Sequence, residues 1–210
     1  MNTSYKQTFN TNGVIFIPNM IENFKQYQSI VQKQSGMVSY SKQQNQYLLD
    51  EKDPEVEGSF SRNYFPHYQE LYYNVKKHIE KILEMRLYTT YYFDRFYFAG
   101  QKLNVHTDDP EREITVSIQI STNKKEPWDL WFTNYMGKDE KFSMSNGDAC
   151  IYNGCHVPHW RLPLETRYNK YQRWYRKMRK LDDNTYHHQL CFHYVNADGP
   201  YMEHAFNLRF

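Results

Sequence analysis

The sequence predicts a mainly β domain with flanking helices, a sandwich or jelly roll, on three observations. Aromatic residues carry much of the apolar content: 20 Tyr, 13 Phe and 4 Trp stand among 210 residues, and an apolar share of 40% already counts Tyr. Such side chains fit the pleated, half-buried face of a sheet. Ile114, Val116, Ile118 and Ile120 alternate strictly with Thr115, Ser117 and Gln119, which is the period of a strand. Further short apolar runs are bounded by turn signals at Asn146-Gly147 and Asn153-Gly154. The length suits one domain with a proper core.

Taken in order, GVIFIPNMI (13–21) reads as a short strand. IENFKQYQSIVQK after it reads as a helix burying Phe24, Tyr27 and Val31. Residues 33–47, rich in Gln, Ser and Asn, read as a surface loop. Pro66 opens FPHYQELYYNVKKHIEKILEM, where Leu71, Val75, Ile79 and Ile82 fall at helical spacing. RLYTTYYFDRFYFAG (86–100) lacks helical phasing and reads as a strand, as do PWDLWF (127–132), GDACIYNG (147–154) and HHQLCFHYV (187–195). Before the last of these, Tyr171, Trp174, Tyr175 and Met178 recur at i, i+3, i+4 and i+7, with Arg173, Arg176, Lys177 and Lys180 roughly opposite. That is an amphipathic helix inserted between two strands. The expected organisation is a single domain: a support region over 1–88, a β core over 89–196 with a basic helical insertion near 165–182, and a tail over 197–210.

Net charge is +2, yet residues 161–180 hold eight Lys/Arg against Glu165 alone. Cys150, Cys155 and Cys191 form no CxxC pair and read as buried thiols in a reducing, cytoplasmic setting. No secretory or membrane-spanning apolar run is visible, so no membrane partner is expected.

His106 and Asp108 stand two apart just before the alternating strand, and residues two apart on an extended chain share a face. Chance alone supplies about half of one such H-x-D triplet in a chain of this composition. A histidine arriving from another strand strengthens it, and YNGCHVPHWR offers His156 and His159. Two imidazoles and one carboxylate make a facial triad, which holds non-haem Fe(II) and leaves coordination positions open.

FYFAGQKLNVHTD, GDACIYNGCHVPHWR and FHYVNADGPY, in that order, resemble the iron(II)/2-oxoglutarate-dependent dioxygenases, closest to the prolyl 4-hydroxylase-like branch and to similar phage and cyanobacterial sequences. The resemblance covers roughly 90–205. It implies a double-stranded β-helix, a jelly-roll variant, with iron held by His106, Asp108 and His159, and His156 as the alternate to His159. It implies a Tyr97 hydroxyl contacting 2-oxoglutarate. The family's usual cation opening the last strand is missing here, so Arg161, two residues after His159, takes that place, with Arg167 and Lys170 as fallbacks. The implied activity is hydroxylation of an unactivated C–H using Fe(II), 2-oxoglutarate and O₂, with succinate and CO₂ as coproducts. The primary substrate it points to is a peptide or protein, or else a small molecule, and the compartment is the cytoplasm (a host's, if the chain is viral).

Trp128 and Trp131 read as sheet packing, and His187, His188 and His193 as sheet residues, with His193 near the pocket. The 167–180 helix has three readings: a lid, a solvated surface helix, or a nucleic-acid contact through basic residues interleaved with aromatics. The modest net charge argues against nucleic acid as the main partner. Two rival functions remain, a cupin-like metal-binding module without catalysis and a nucleic-acid-binding protein acting through that helix.

Overall fold

The computed structural model describes residues 4–29, 35–41, 43–50, 53 and 55–206. Its centre is an eight-stranded sheet formed by β1 (Val14–Ile17), β2 (Gly36–Ser41), β3 (Gln46–Asp50), β4 (Phe60–Asn63), β5 (Leu87–Phe98), β7 (Ile114–Thr122), β10 (Ala149–Asn153) and β12 (Tyr186–Asn196). Their order is β1-β10-β7-β12-β5-β4-β2-β3. A four-stranded sheet, in the order β6-β11-β8-β9, combines β6 (Leu103–His106), β8 (Leu130–Thr133), β9 (Asp139–Phe142) and β11 (His159–Arg161). Every pairing is antiparallel except β2 with β4. The chain crosses between the sheets as a double-stranded β-helix does.

Among the described residues three α-helices flank the sheets: α1 (Tyr5–Asn12), α2 (Gln69–Leu83) and α3 (Lys170–Met178). Pro66 opens a 3₁₀ turn that leads into α2, and Leu71, Tyr72, Val75, Ile79 and Leu83 are its buried stripe. They pack against Ile114, Val116, Ile118 and Ile120 of β7 and Leu190, Phe192 and Tyr194 of β12. Each such side chain contributes about 1.5–3 kcal/mol by leaving water.

The other face of these strands carries the residues that decide the function. Thr115, Ser117 and Gln119 of β7 are as buried as their apolar neighbours. The alternation therefore separates a helix-covered face from a polar interior between the sheets, with no solvent-facing side. On β12 the same phase turns His187, Gln189, Cys191 and His193 inward.

Several expectations need correction. Among the described residues of IENFKQYQSIVQK the expected helix is a single 3₁₀ turn, Phe24–Tyr27, with no side-chain cap, and Phe24 and Tyr27 are only partly covered. Val31 lies outside the described residues. The expected loop over 33–47 contains most of the β2–β3 hairpin, which turns through Asn45 at φ 49°. The hairpin joins the sheet through β2, which pairs with β4, and β4 in turn pairs with β5. Cys155 is partly exposed, while Cys150 and Cys191 are buried. Among the described residues no helix is long and apolar enough to cross a membrane.

Candidate metal centre

His106 ends β6 and His159 opens β11, and the two residues are paired in register. Asp108 lies on no strand: it sits in the loop after β6, where its backbone N–H donates to the Gly154 carbonyl at 2.8 Å. This loop, and not a shared strand face, brings it beside the imidazoles. Among the described residues His106, Asp108 and His159 form one cluster in which a ligand atom from each lies within 4.8 Å of the others. His106 Nε2 is 3.8 Å and His159 Nε2 3.9 Å from Asp108 Oδ1, and the imidazole centroids are 4.3 Å apart.

The tautomers follow from the neighbours. His106 Nδ1 lies 2.9 Å from the Asn104 carbonyl, and His159 Nδ1 3.0 Å from the Val157 carbonyl. A carbonyl only accepts, so each Nδ1 carries the proton and each Nε2 presents a lone pair toward Asp108. Burial holds the His159 imidazole below its usual pKa, which keeps it neutral and able to ligate. Burial pushes the Asp108 carboxyl up, but His159, His193, Arg112 and His106 outweigh it and hold the group below the usual carboxylate range. His106 is partly exposed, so one flank of the cluster opens outward.

The sequence did not single out the residues that steady Asp108. Thr115 Oγ1 donates to Asp108 Oδ2 at 3.0 Å and lies 3.0 Å from His193 Nδ1. The single Thr115 hydroxyl proton goes to Asp108, so the His193 Nδ1–H donates to the Thr115 oxygen, and burial keeps that imidazole neutral by pushing it down to about 3. Arg112 Nη1 approaches Asp108 Oδ1 at 3.4 Å and also bonds Glu55, which in turn accepts from Arg95 at 2.8 Å. A Cβ on Gly154 would run into Asp108 Oδ2 and the Arg112 carbonyl oxygen. Asn153-Gly154 signals a turn, and that common meaning masks the close approach that requires glycine.

Arg161 shares the buried face of β11 with His159, and 1% of its surface is exposed. Its Nη1 donates to the Trp128 carbonyl, and the guanidinium lies 4.5 Å over the Trp128 ring. Nε and Nη2 have no hydrogen-bond partner, and no carboxylate pairs with Arg161 among the described residues. Burial lowers its pKa, but guanidinium remains a cation under any ordinary condition. A buried, unpaired charge costs several kcal/mol unless something anionic accepts from it.

Tyr97 is equally buried, with its ring 5.0 Å from Trp128. Its hydroxyl oxygen accepts from Arg95 Nη1 at 3.3 Å, so its own proton is free to be donated. Trp128 therefore packs against both Arg161 and Tyr97, whereas Trp131 stacks on Trp160 at 6.0 Å, both partly exposed. His187 lies beside Trp128, with its ring 5.0 Å away and Nε2 unpartnered, and Gln189 Oε1 is unpartnered too. His156, the alternate ligand, is exposed beside Tyr201 and outside the cluster. Arg167 bonds Tyr168 and Asn184 at the surface, and Lys170 opens the exposed α3, so neither reaches the interior.

These features fit a divalent metal and a dicarboxylate. Two neutral imidazoles and a carboxylate suit non-haem iron, both imidazoles are fixed by carbonyls as metal-ligating histidines are, and the unspent Arg161 donors face an interior lined with polar groups.

No protein-family model and no curated protein sequence matches the chain. Solved structures do. HygX from Streptomyces hygroscopicus, with nickel and 2-oxoglutarate bound, aligns over 94% of this chain and 89% of its own at 10% identity, TM-score 0.60. An oxidoreductase of the 2OG-Fe(II) oxygenase family from Burkholderia pseudomallei aligns over 91% and 88% at 9% identity, TM-score 0.58. A prolyl hydroxylase from Trichoplax adhaerens, in complex with a hypoxia inducible factor peptide fragment, aligns over 90% and 86% at 16% identity, TM-score 0.57. The chain has the double-stranded β-helix fold of the 2-oxoglutarate/Fe(II) oxygenases.

Proposed function

We propose that the protein is an Fe(II)- and 2-oxoglutarate-dependent oxygenase that hydroxylates an unactivated C–H bond. The observation that carries this reading is the pairing, on one short strand, of His159 in a two-imidazole, one-carboxylate cluster with Arg161, a buried cation whose Nε and Nη2 are unspent. A metal-binding module without catalysis has no use for that cation.

His106 Nε2, Asp108 and His159 Nε2 would hold the iron. When bound, iron and 2-oxoglutarate together supply O₂ activation coupled to oxidative decarboxylation, with succinate and CO₂ as coproducts. The chain's own residues hold, orient and shield. Asn104 and Val157 keep both imidazoles in the ligating tautomer, and Thr115 and Arg112 fix Asp108. Arg161 and the Tyr97 hydroxyl would take the distal carboxylate of 2-oxoglutarate, where a charge-assisted hydrogen bond is worth about 1.5–3 kcal/mol. Arg95 holds Tyr97 in place, itself clamped by Asp53 at 2.8 and 3.0 Å. Trp128 and Tyr152 shield the interior from water, with the Tyr152 ring 4.6 Å from His159.

A prolyl-containing peptide or protein is the first substrate class to screen, in line with the matched prolyl hydroxylase. The test is succinate release from 2-oxoglutarate with Fe(II) over a substrate screen, comparing wild type with His106→Ala. Metal-dependent succinate that disappears in the variant is expected. Equal succinate from both proteins would end the proposal.

A further inference from the structure

Helix α3 is built inside out. None of its nine residues is buried, and the one that is partly covered is Arg176, whose guanidinium lies 4.3 Å over the Tyr168 ring and donates to the Asp182 carbonyl. At about 100° per residue, Arg176 projects roughly 150° away from the centre of the stripe formed by Tyr171, Trp174, Tyr175 and Met178. The stripe therefore points into solvent, with exposures of 83%, 66%, 47% and 57%. A surface helix ordinarily turns such a stripe to the core, and contiguous exposed apolar surface marks an interaction site.

Charge identifies the kind of partner. Residues 167–180 carry seven Lys/Arg and no carboxylate, so the remainder of a chain of net charge +2 sums to −5. Lys170 and Lys177 border the stripe beside Trp174, and Arg179 borders it at 5.8 Å from the Tyr175 ring. The partner is thus a polyanion. The stripe is three aromatic rings and a single thioether, which suits stacking on bases. A membrane-surface helix also sets Lys/Arg opposite Trp, Phe and Leu, so vesicle binding is the outcome that opposes this reading in the test. The surface is also preformed. Asn169 and Gln172 make a reciprocal capping box, and the Arg167 backbone N–H is pinned to Thr185 Oγ1 at 2.9 Å, so little ordering is left to binding.

We propose that α3 is a docking surface for single-stranded nucleic acid, with bases stacking on Tyr171, Trp174 and Tyr175 and phosphates meeting the bordering cations. The surface is separate from the metal centre. The α3 excursion leaves the barrel after Arg161 and returns at Tyr186, and β12 then runs from His187, beside Trp128, to His193, beside the Asp108 cluster. Six residues of strand span about 20 Å. A lid over the cluster does not follow from that placement.

The test is fluorescence anisotropy of a labelled oligothymidine or oligouridine strand with the full chain. Affinity should fall steeply between about 50 and 200 mM salt. The variant Tyr171→Ala/Trp174→Ala should weaken binding about fivefold to a hundredfold for each stacked base lost. Lys170→Glu/Lys177→Glu should flatten the salt dependence. Because α3 buries nothing, these variants should keep the wild-type melting temperature and Mn(II) affinity. Absence of oligonucleotide binding at low salt, or affinity unchanged in the aromatic variant, would overturn the proposal. So would α3-dependent binding to phosphatidylserine vesicles without oligonucleotide binding.

Discussion

Asp94 and Asp108 each hold a buried carboxylate with a histidine and an arginine for company, and only at Asp108 do the imidazoles stand off from it. Asp94, on β5, faces the 66–68 turn. Its Oδ2 accepts from His188 at 2.7 Å and from the Tyr68 hydroxyl at 2.9 Å, while Arg62 bonds both oxygens. Asp108, in the polar interior, has its imidazoles standing off at 3.8 and 3.9 Å with their protons committed elsewhere. Arg62 is matched by a carboxylate and Arg161 is not. Residue types are therefore a poor guide to function in such clusters. What marks a binding site is hydrogen-bonding and ligating capacity left unspent in a place where leaving it so is costly.

The comparison breaks first if the two acids behave alike. Asp94→Asn leaves Arg62 buried without its counter-charge and should cost about 3–5 kcal/mol in urea unfolding, with Mn(II) affinity retained. Asp108→Ala or His159→Ala should do the reverse, lowering Mn(II) affinity by more than about a hundredfold, beyond what changes behind the ligands cost, while the fold survives. Equal stability losses for Asp94→Asn and Asp108→Ala would erase the distinction.

The arginines sharpen it further. Arg161→Met removes an unsatisfied buried cation and should stabilise the ligand-free protein by about 1–3 kcal/mol, whereas Arg62→Met strands the Asp94 charge and should destabilise it by about 3 kcal/mol or more. Thermal melts of both variants check the opposite signs. Next come the supports of Asp108: Gly154→Ala and Thr115→Val should each lower Mn(II) affinity about ten- to a hundredfold, read by titration, with Gly154→Ala the larger because its Cβ displaces the carboxylate.

The smallest effect is on acid stability. Burial pushes the Asp94 carboxyl up, but His188 and Arg62 hold it below its ordinary value. A depressed folded-state pKa means stabilisation fully present above the unfolded value near ~4 and lost as pH falls through the folded one. Compared with wild type, Asp94→Asn should show a flatter loss of stability on the acid side.

Much of this was legible in the sequence where local chemistry and tertiary context agree. The alternation of β7, the aromatic density of β5 and the apolar phasing of α2 each describe surfaces that do become buried. The H-x-D pair and the HWR tripeptide name the residues that converge. The β2–β3 hairpin was hidden because its two short strands sit in a Gln- and Ser-rich stretch and join the sheet only through β4. Thr115 was hidden because a polar residue on an alternating strand reads as solvent-facing, when here it faces a polar interior. His187 and Arg112 carry no spacing signal at all, since they reach the site through strand pairing and loop closure.

The central claim is that the His106–Asp108–His159 cluster and the unpaired Arg161 serve one ligand pair. Calorimetric titration of 2-oxoglutarate into Mn(II)-loaded protein tests it most directly. Binding that requires the metal and is lost in both His159→Ala and Arg161→Met is the expected result. Binding that is indifferent to the metal, or unchanged in Arg161→Met, would contradict it.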